Sequence, residues 1–199
     1  MRVHGTIKIQ RRDLAIDDWH KHKADLEKDF CGICGYCGKD FKATLCKSEI
    51  EHFVPKKEYP DYENKYSNLV LACKVCNNKK RADWPSKNPE QNITDDGTKG
   101  YIDPVSDEYD SHLQRCDDGS IIGITDVGKY MFKRLGFDYR PISENQKIKE
   151  LYDSIQVLRK MKEEGSTSYD PDILAELFVT CEDLRQQIHM QKEWFFNSN

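Results

Sequence analysis

The chain contains no apolar run approaching the ~18 residues that a helical membrane span requires. Its first residues, MRVHGTIKIQRRDL, include no apolar h-region, so no secretory signal is expected and the default placement is cytoplasmic. Internal repeats and low-complexity tracts are absent as well. Positive charge is in deficit: 31 Lys and Arg stand against 35 Asp and Glu, a formal net charge of -4. Taken alone, that balance argues against a partner made of phosphates. What remains is a globular composition, 37% hydrophobic and 33% charged, over 199 residues. That length suits one domain with an appendage, or two small domains.

Eight cysteines are many for such a chain. A secreted disulfide framework is the first alternative. The missing signal opposes it, and so does the local pairing Cys34-x-x-Cys37 and Cys73-x-x-Cys76. Close pairs of this kind are half-sites for a tetrahedral thiolate metal, the more common fate of paired thiols in a reducing cytosol. Cys31/Cys34 is an alternative first pair, but the CGYCG turn makes the better knuckle.

Charge is unevenly distributed. Residues 39–87 hold 11 Lys/Arg and 7 Asp/Glu, whereas residues 88–199 hold 13 and 22. The basic excess therefore lies with the cysteine pairs and an acidic segment follows, better suited to a protein partner or to solvent.

Periodicity predicts a helix over 13–30, with Leu14, Trp19 and Leu26 broadly on one side. A strand is predicted over 48–54, ending at Pro55, then a tyrosine-rich loop over 56–67, a second strand at Asn68–Ala72, and a short helix from Cys76 towards Pro85. Residues 85–100 carry the strongest linker signal and place a boundary between regions 1–87 and 88–199. Beyond it come short strands about a turn at Asp117-Asp118-Gly119, and a helix over 126–136 with Asp126 as N-cap and Gly136 as C′. Two long amphipathic helices, 143–164 and 171–195, complete a mostly helical C-terminal region.

Four features fall in order: Cys34-Gly-Tyr-Cys37; Glu51-His52-Phe-Val-Pro55; Asn68-Leu-Val-Leu-Ala-Cys73-Lys-Val-Cys76-Asn77; and Lys79-Lys80-Arg81. Phosphodiester hydrolysis requires an activated water, a cation on the phosphate and help for the leaving oxygen. Glu51 and Asn77 offer the oxygens that a hard ion such as Mg²⁺ prefers. His52 has a suitable unperturbed pKa for taking a proton from water. Neighbours 51 and 52 would point to opposite faces of a regular strand, so a distorted or terminal position is needed.

These residues resemble the HNH endonuclease family, in which an acid or His precedes a His, an Asn follows, and a His or Asn comes after it. His52 and Asn68 are 16 residues apart here, and Asn68 and Asn77 nine. The resemblance implies an α+β fold: a ββα-metal core with a structural zinc site, an N-terminal helix and a C-terminal helical region. It implies His52 as general base, Glu51 and Asn77 as Mg²⁺ ligands, and Asn68 as the residue that holds the loop between the strands. Cys34, Cys37, Cys73 and Cys76 would hold one Zn²⁺. Where some members carry a further metal-ligand His, this chain has Arg81, which with Lys79 and Lys80 would contact substrate phosphate. The later motifs YIDPVSDEYDSHL, DDGSI and LGFD look like those of HNH nucleases in bacterial phage defence, of the Septu and retron-associated type. That likeness implies an ABC/SMC-like ATPase partner and DNA as substrate. RNA cleavage, for example of tRNA, and a zinc-stabilised interaction subunit are the other readings. A single unit per chain makes a homodimer attractive for double-strand cutting.

Overall fold

The computed structural model describes residues 1–88, 93–164, 174, 175 and 177–180. These fall into two compact units, Met1–Ser143 and Glu144–Asn199. The first carries every residue singled out above for chemistry.

Five consecutive buried residues, LVLAC, make the strand Leu69–Cys73. It pairs antiparallel with Ser48–His52, in the register Ser48↔Cys73 to His52↔Leu69. These are β1 (Ser48–His52) and β2 (Leu69–Cys73). Ahead of them lies α1, Lys23–Asp29, and directly after β2 comes α2, Lys74–Lys80. The order β1–β2–α2 is the expected ββα unit, and α1 also packs against β2.

The helix expected from residue 13 begins later. Trp19–His22 is a 3-10 turn, and Asp18 caps it by accepting from the His20 amide at 3.0 Å. A short acid that captures a neighbouring amide stops a helix from extending backwards. Residues before it are tied elsewhere, with Ala15 bridging Lys65 and the Arg12 amide donating to Asp29 at 3.1 Å.

The linker expected over 85–100 does not divide the fold: the compact unit continues to Ser143. Trp84, Tyr101, Ile102, Tyr109, Leu113, Met131 and Leu135 join Phe30, Tyr36 and Leu71 in one buried cluster. The aromatics on both sides of that segment belong to a shared core. α3 (Tyr109–His112) leads into the hairpin β3 (Leu113–Arg115) and β4 (Ile121–Gly123), paired Leu113↔Gly123. Its turn contains Gly119 at φ +86°, as the DDG sequence requires. α4 runs Asp126–Arg134; its N-cap is Thr125, which accepts from the Gly128 amide at 3.1 Å, one residue before the expected Asp126. Gly136 follows the helix at φ +69°, the C′ position anticipated for it. A Cβ on Gly128 would stand 1.9 Å from the His112 carbonyl oxygen, so α4 approaches the end of α3 only through glycine.

Helix α5 spans Ile142–Glu163. The helix anticipated over 171–195 lies largely outside the described residues, although 174, 175 and 177–180 are helical. Among the described residues no helix is long and apolar enough to cross a membrane.

Candidate active site and metal centre

Cys34 and Cys37 sit on the glycine turn that follows α1; Cys73 ends β2 and Cys76 lies on the first turn of α2. The turn is tied to β2, with the Gly35 amide donating to the Leu71 carbonyl at 2.8 Å and the Cys73 amide to Cys34 Sγ at 3.3 Å, and this brings the two CxxC pairs together. All four Sγ atoms lie within 4.8 Å of one another and are buried. A tetrahedral zinc with ~2.3 Å Zn–S bonds has S–S edges of about 3.8 Å. Cys37 Sγ and Cys73 Sγ are 3.9 Å apart, so the cluster already has the size of that ion. Burial pushes the Cys34 and Cys76 thiols well up, while hydrogen bonds from Cys34 and the other cysteines hold Cys73 low. Four thiolates can coexist there only around a cation. Cys31 is exposed, its Sγ 3.9 Å from the Lys8 carbonyl, and takes no part; Cys46 is exposed too.

Residues far away in sequence complete the knuckle. Its three consecutive carbonyls are each claimed: Gly35 by His4 Nε2 at 2.6 Å, Tyr36 by the Tyr109 hydroxyl at 2.7 Å, and Cys37 by Arg115 Nη2 at 2.9 Å. Gly38 turns at φ +69°, and a Cβ there would come within 2.8 Å of the same Arg115 group. Arg140 donates to Cys76 Sγ at 3.3 Å and Cys73 Sγ at 3.5 Å, with Cys37 Sγ at 4.0 Å. Four thiolates and a divalent ion carry a formal charge of about -2, and this guanidinium offsets part of it.

A second, separate site is an open cleft of about 290 Å³ at the end of β1, lined in part by Trp19, Glu51, His52, Lys57, Asn77 and Arg81. His52 is the last residue of β1, the terminal position its proximity to Glu51 demands. Its Nε2 meets the Glu63 carbonyl at 3.0 Å, a group that can only accept, so Nε2 carries the proton and Nδ1 the lone pair. Trp19 packs edge-on, ring centroids 4.9 Å apart. Burial, aided by the Lys56 charge and opposed by the Glu63 carbonyl, holds His52 below its ordinary value, leaving the ring neutral and basic near pH 7.

The loop that supplies Glu63 is fixed by Asn68. This fully buried amide accepts from Val54 N–H at 2.7 Å and donates to the Val54 carbonyl at 3.0 Å and the Tyr62 carbonyl at 3.1 Å. One side chain therefore ties both ends of the β1–β2 connection. Trp19 Nε1 and Lys56 both donate to the Glu63 carboxylate, at 3.2 and 2.8 Å, and the Lys56 bond chiefly draws that acid low.

Asn77 reaches the cleft from α2. Its Nδ2 donates to Glu49 Oε2 at 2.7 Å, which directs Oδ1 the other way. Glu51 also lines the cleft, but its carboxylate already holds two donors: the Tyr36 hydroxyl at 2.5 Å and Lys80 Nζ at 2.8 Å. Each carboxylate oxygen keeps a further lone pair. An amide oxygen, a carboxylate and room for water fit a hard divalent ion of few protein ligands.

Lys80 is placed differently from the sequence reading. It is 0% exposed, and its ammonium donates to Glu51, to the Phe53 carbonyl at 2.7 Å and to the His52 carbonyl at 3.3 Å. The rings of Phe53, Trp84 and Tyr101 surround it. A lysine with all three donors satisfied inside the core does not contact phosphate. Lys79 and Arg81 are exposed.

Sequence reasoning passed over Glu49, Trp19, Tyr36, Glu63 and Arg140. Only Glu49 left a signal: it shares a strand face with Glu51 two residues on. Trp19 read only as one face of the predicted helix, and Tyr36, Glu63 and Arg140 arrive from segments without periodicity.

Residues 34–83, about a quarter of the chain, match the family model for HNH endonuclease. A 69-residue stretch is 36% identical to "Septu protein PtuB" of Bacillus thuringiensis, covering 35% of this chain and 27% of that protein. The similarity thus spans about a quarter of the relative's length. No solved structure matches.

Proposed function

We propose, on the premise of the HNH endonuclease domain at residues 34–83, that the protein is a divalent-metal-dependent nuclease that hydrolyses DNA phosphodiester bonds. The observation that carries this reading is the meeting of His52, from the end of β1, with Asn77 and Arg81, from α2 and the residue that caps it, around one cleft.

His52 Nδ1 takes the proton of the attacking water, while the Nε2–H bond to the Glu63 carbonyl keeps the ring in the tautomer that can do so. Trp19 limits the ring's rotation. Asn68 holds the loop that carries the Glu63 carbonyl. Asn77 Oδ1 and Glu51 would hold Mg²⁺, which when bound supplies Lewis-acid stabilisation of the phosphate and the leaving oxygen. Arg81 and Lys79 present positive charge to the phosphates on either side. Zn²⁺ at the four cysteines is structural and takes no part in the chemistry.

The basic excess over 39–87 supports a nucleic-acid substrate, and the acidic balance over 88–199 supports docking to a protein. With the Septu-named relative, this favours the effector nuclease of a bacterial anti-phage system, cytoplasmic, acting with an ABC/SMC-like ATPase and cutting both strands as a homodimer. Plasmid cleavage by the purified chain with Mg²⁺, alone and with that ATPase, tests the reading. His52→Ala that cuts as well as the wild type refutes it.

One observation favours a second reading. Lys80 already neutralises Glu51, which weakens the hold on a divalent ion and fits a zinc-stabilised interaction subunit of little intrinsic activity. Divalent-dependent nicking by the chain alone separates the two.

A further inference from the structure

Beside the catalytic cleft lies a larger one, about 480 Å³, lined by Lys74, Val75, Asn78, Lys79, Arg81 and Arg134. Four of the six carry positive charge, one is an amide, and none is a carboxylate. Four, Lys74, Val75, Asn78 and Lys79, are exposed positions of α2; Arg134 comes from the end of α4, some fifty residues beyond the HNH match and inside the acidic part of the chain. Asp83 positions Arg134 by accepting from its Nε at 2.9 Å. The same Asp83 oxygen accepts from the Tyr101 hydroxyl at 2.7 Å and the Tyr130 hydroxyl at 2.5 Å, so its charge is shared among three donors. Arg81 lines both clefts. It does so from a left-handed backbone conformation, φ +50°, that a non-glycine residue holds only when its surroundings impose it.

We infer that this cleft between α2 and α4 is a second substrate subsite, which takes the backbone phosphates of a DNA duplex flanking the one to be cut. The inference rests on the endonuclease reading of the adjoining cleft. A strand bound at His52 and Asn77 passes Arg81 and enters a groove whose charged side chains are all cations. Two ammonium and two guanidinium groups with no carboxylate among them select a polyanion over a neutral or cationic ligand. Arg134 is then a binding residue outside residues 34–83, and Lys74 one within them to which the motif assigns no role. Contacts of this kind read no sequence; they hold the duplex in place.

The test is a titration of the full-length zinc-loaded chain with a short fluorescein-labelled DNA duplex, in divalent-free buffer over a range of NaCl, read by anisotropy. Each phosphate left without its cation is expected to reduce the slope of log K against log [NaCl] by about 1. Lys74→Gln and Arg134→Gln each lower the slope by that amount, the double variant lowers it by about 2, and duplexes of unrelated sequence behave alike. Arg134→Lys keeps the wild-type slope. Lys74 is exposed and makes no ion pair among the described residues, so its variant carries the test even if Arg134→Gln unfolds through loss of Asp83. Slopes equal to wild type in both glutamine variants, or a wild type that binds no duplex, overturn the inference. Plasmid cleavage distinguishes the two claims. Altered slopes without wild-type cutting keep the subsite and retire the nuclease reading, whereas cutting with unaltered slopes does the reverse.

Discussion

Replacing Lys80 with methionine separates a buried structural cation from a phosphate-binding one. The Lys80–Glu51 distance of 2.8 Å gives a gross attraction of about 6 kcal/mol at an effective dielectric near 20. Removing two charges from water offsets much of that, so the pair adds little net stability, but breaking it leaves Glu51 charged in the core. The usual cost of that outcome is about 3–5 kcal/mol. The Phe53 and His52 carbonyls also lose a donor, about 1–3 kcal/mol for each that remains buried and unmet. Against a typical domain stability of about 5–15 kcal/mol, Lys80→Met should remove a third or more of the margin. Urea unfolding of the zinc-loaded chain measures this, and the fluorescence of Trp84, 5.6 Å from the ammonium, reports locally. Adding Glu51→Gln should restore part of the loss, since a neutral amide needs no counter-charge. A Lys80→Met variant within about 0.5 kcal/mol of wild type, as for a surface lysine, would refute the buried placement.

Cleavage should rise with pH and level off, with the half-point below 6.5, because burial lowers the His52 pKa and only the neutral ring accepts a proton; a half-point above 6.5 contradicts the geometry. Arg81→Gly should cut poorly yet melt at the wild-type temperature or slightly above, because glycine adopts φ +50° without strain. Arg140→Ala should still bind one zinc per chain but lose it to a chromophoric chelator about 10–100-fold more readily, the usual effect of removing a group that supports metal ligands. Cys37→Ser should lose the ion and, with it, the fold of the first unit, seen as loss of far-UV circular dichroism; a structural zinc is worth about 10–16 kcal/mol in small modules, as much as a domain's whole stability.

The ββα unit was legible because its signals are local. LVLAC is an apolar run between turn residues, and the CxxC pairs and the Asn68–Asn77 interval sit on consecutive elements. The direction of Lys80 was not legible: a Lys-Lys-Arg run reads as a solvated face, and only the closing of Phe53, Trp84 and Tyr101 around its middle member turns that lysine inward. The division of the chain was hidden for a related reason. Composition marks 85–100 as a linker, yet Asp83 before it is tied to Tyr101, Tyr130 and Arg134 after it, through interactions that carry no sequence period. The start of the N-terminal helix was obscured by two adjacent acids: Asp18 caps the turn, whereas the pair reads equally well as the first turn itself.

The knuckle also has an order in time. His4 and the Cys34–Cys37 turn leave the ribosome early, but the other groups that seal the turn come 73, 78 and 103 residues after their partners in it, from Tyr109, Arg115 and Arg140. Metal can enter while the thiols are still open, and the last latch to be synthesised lies across the sulfurs. From then on the ion leaves only if a much larger body loosens. For the same reason residues 34–83 are not a portable cassette: excised, they would keep every ligand and lose every latch.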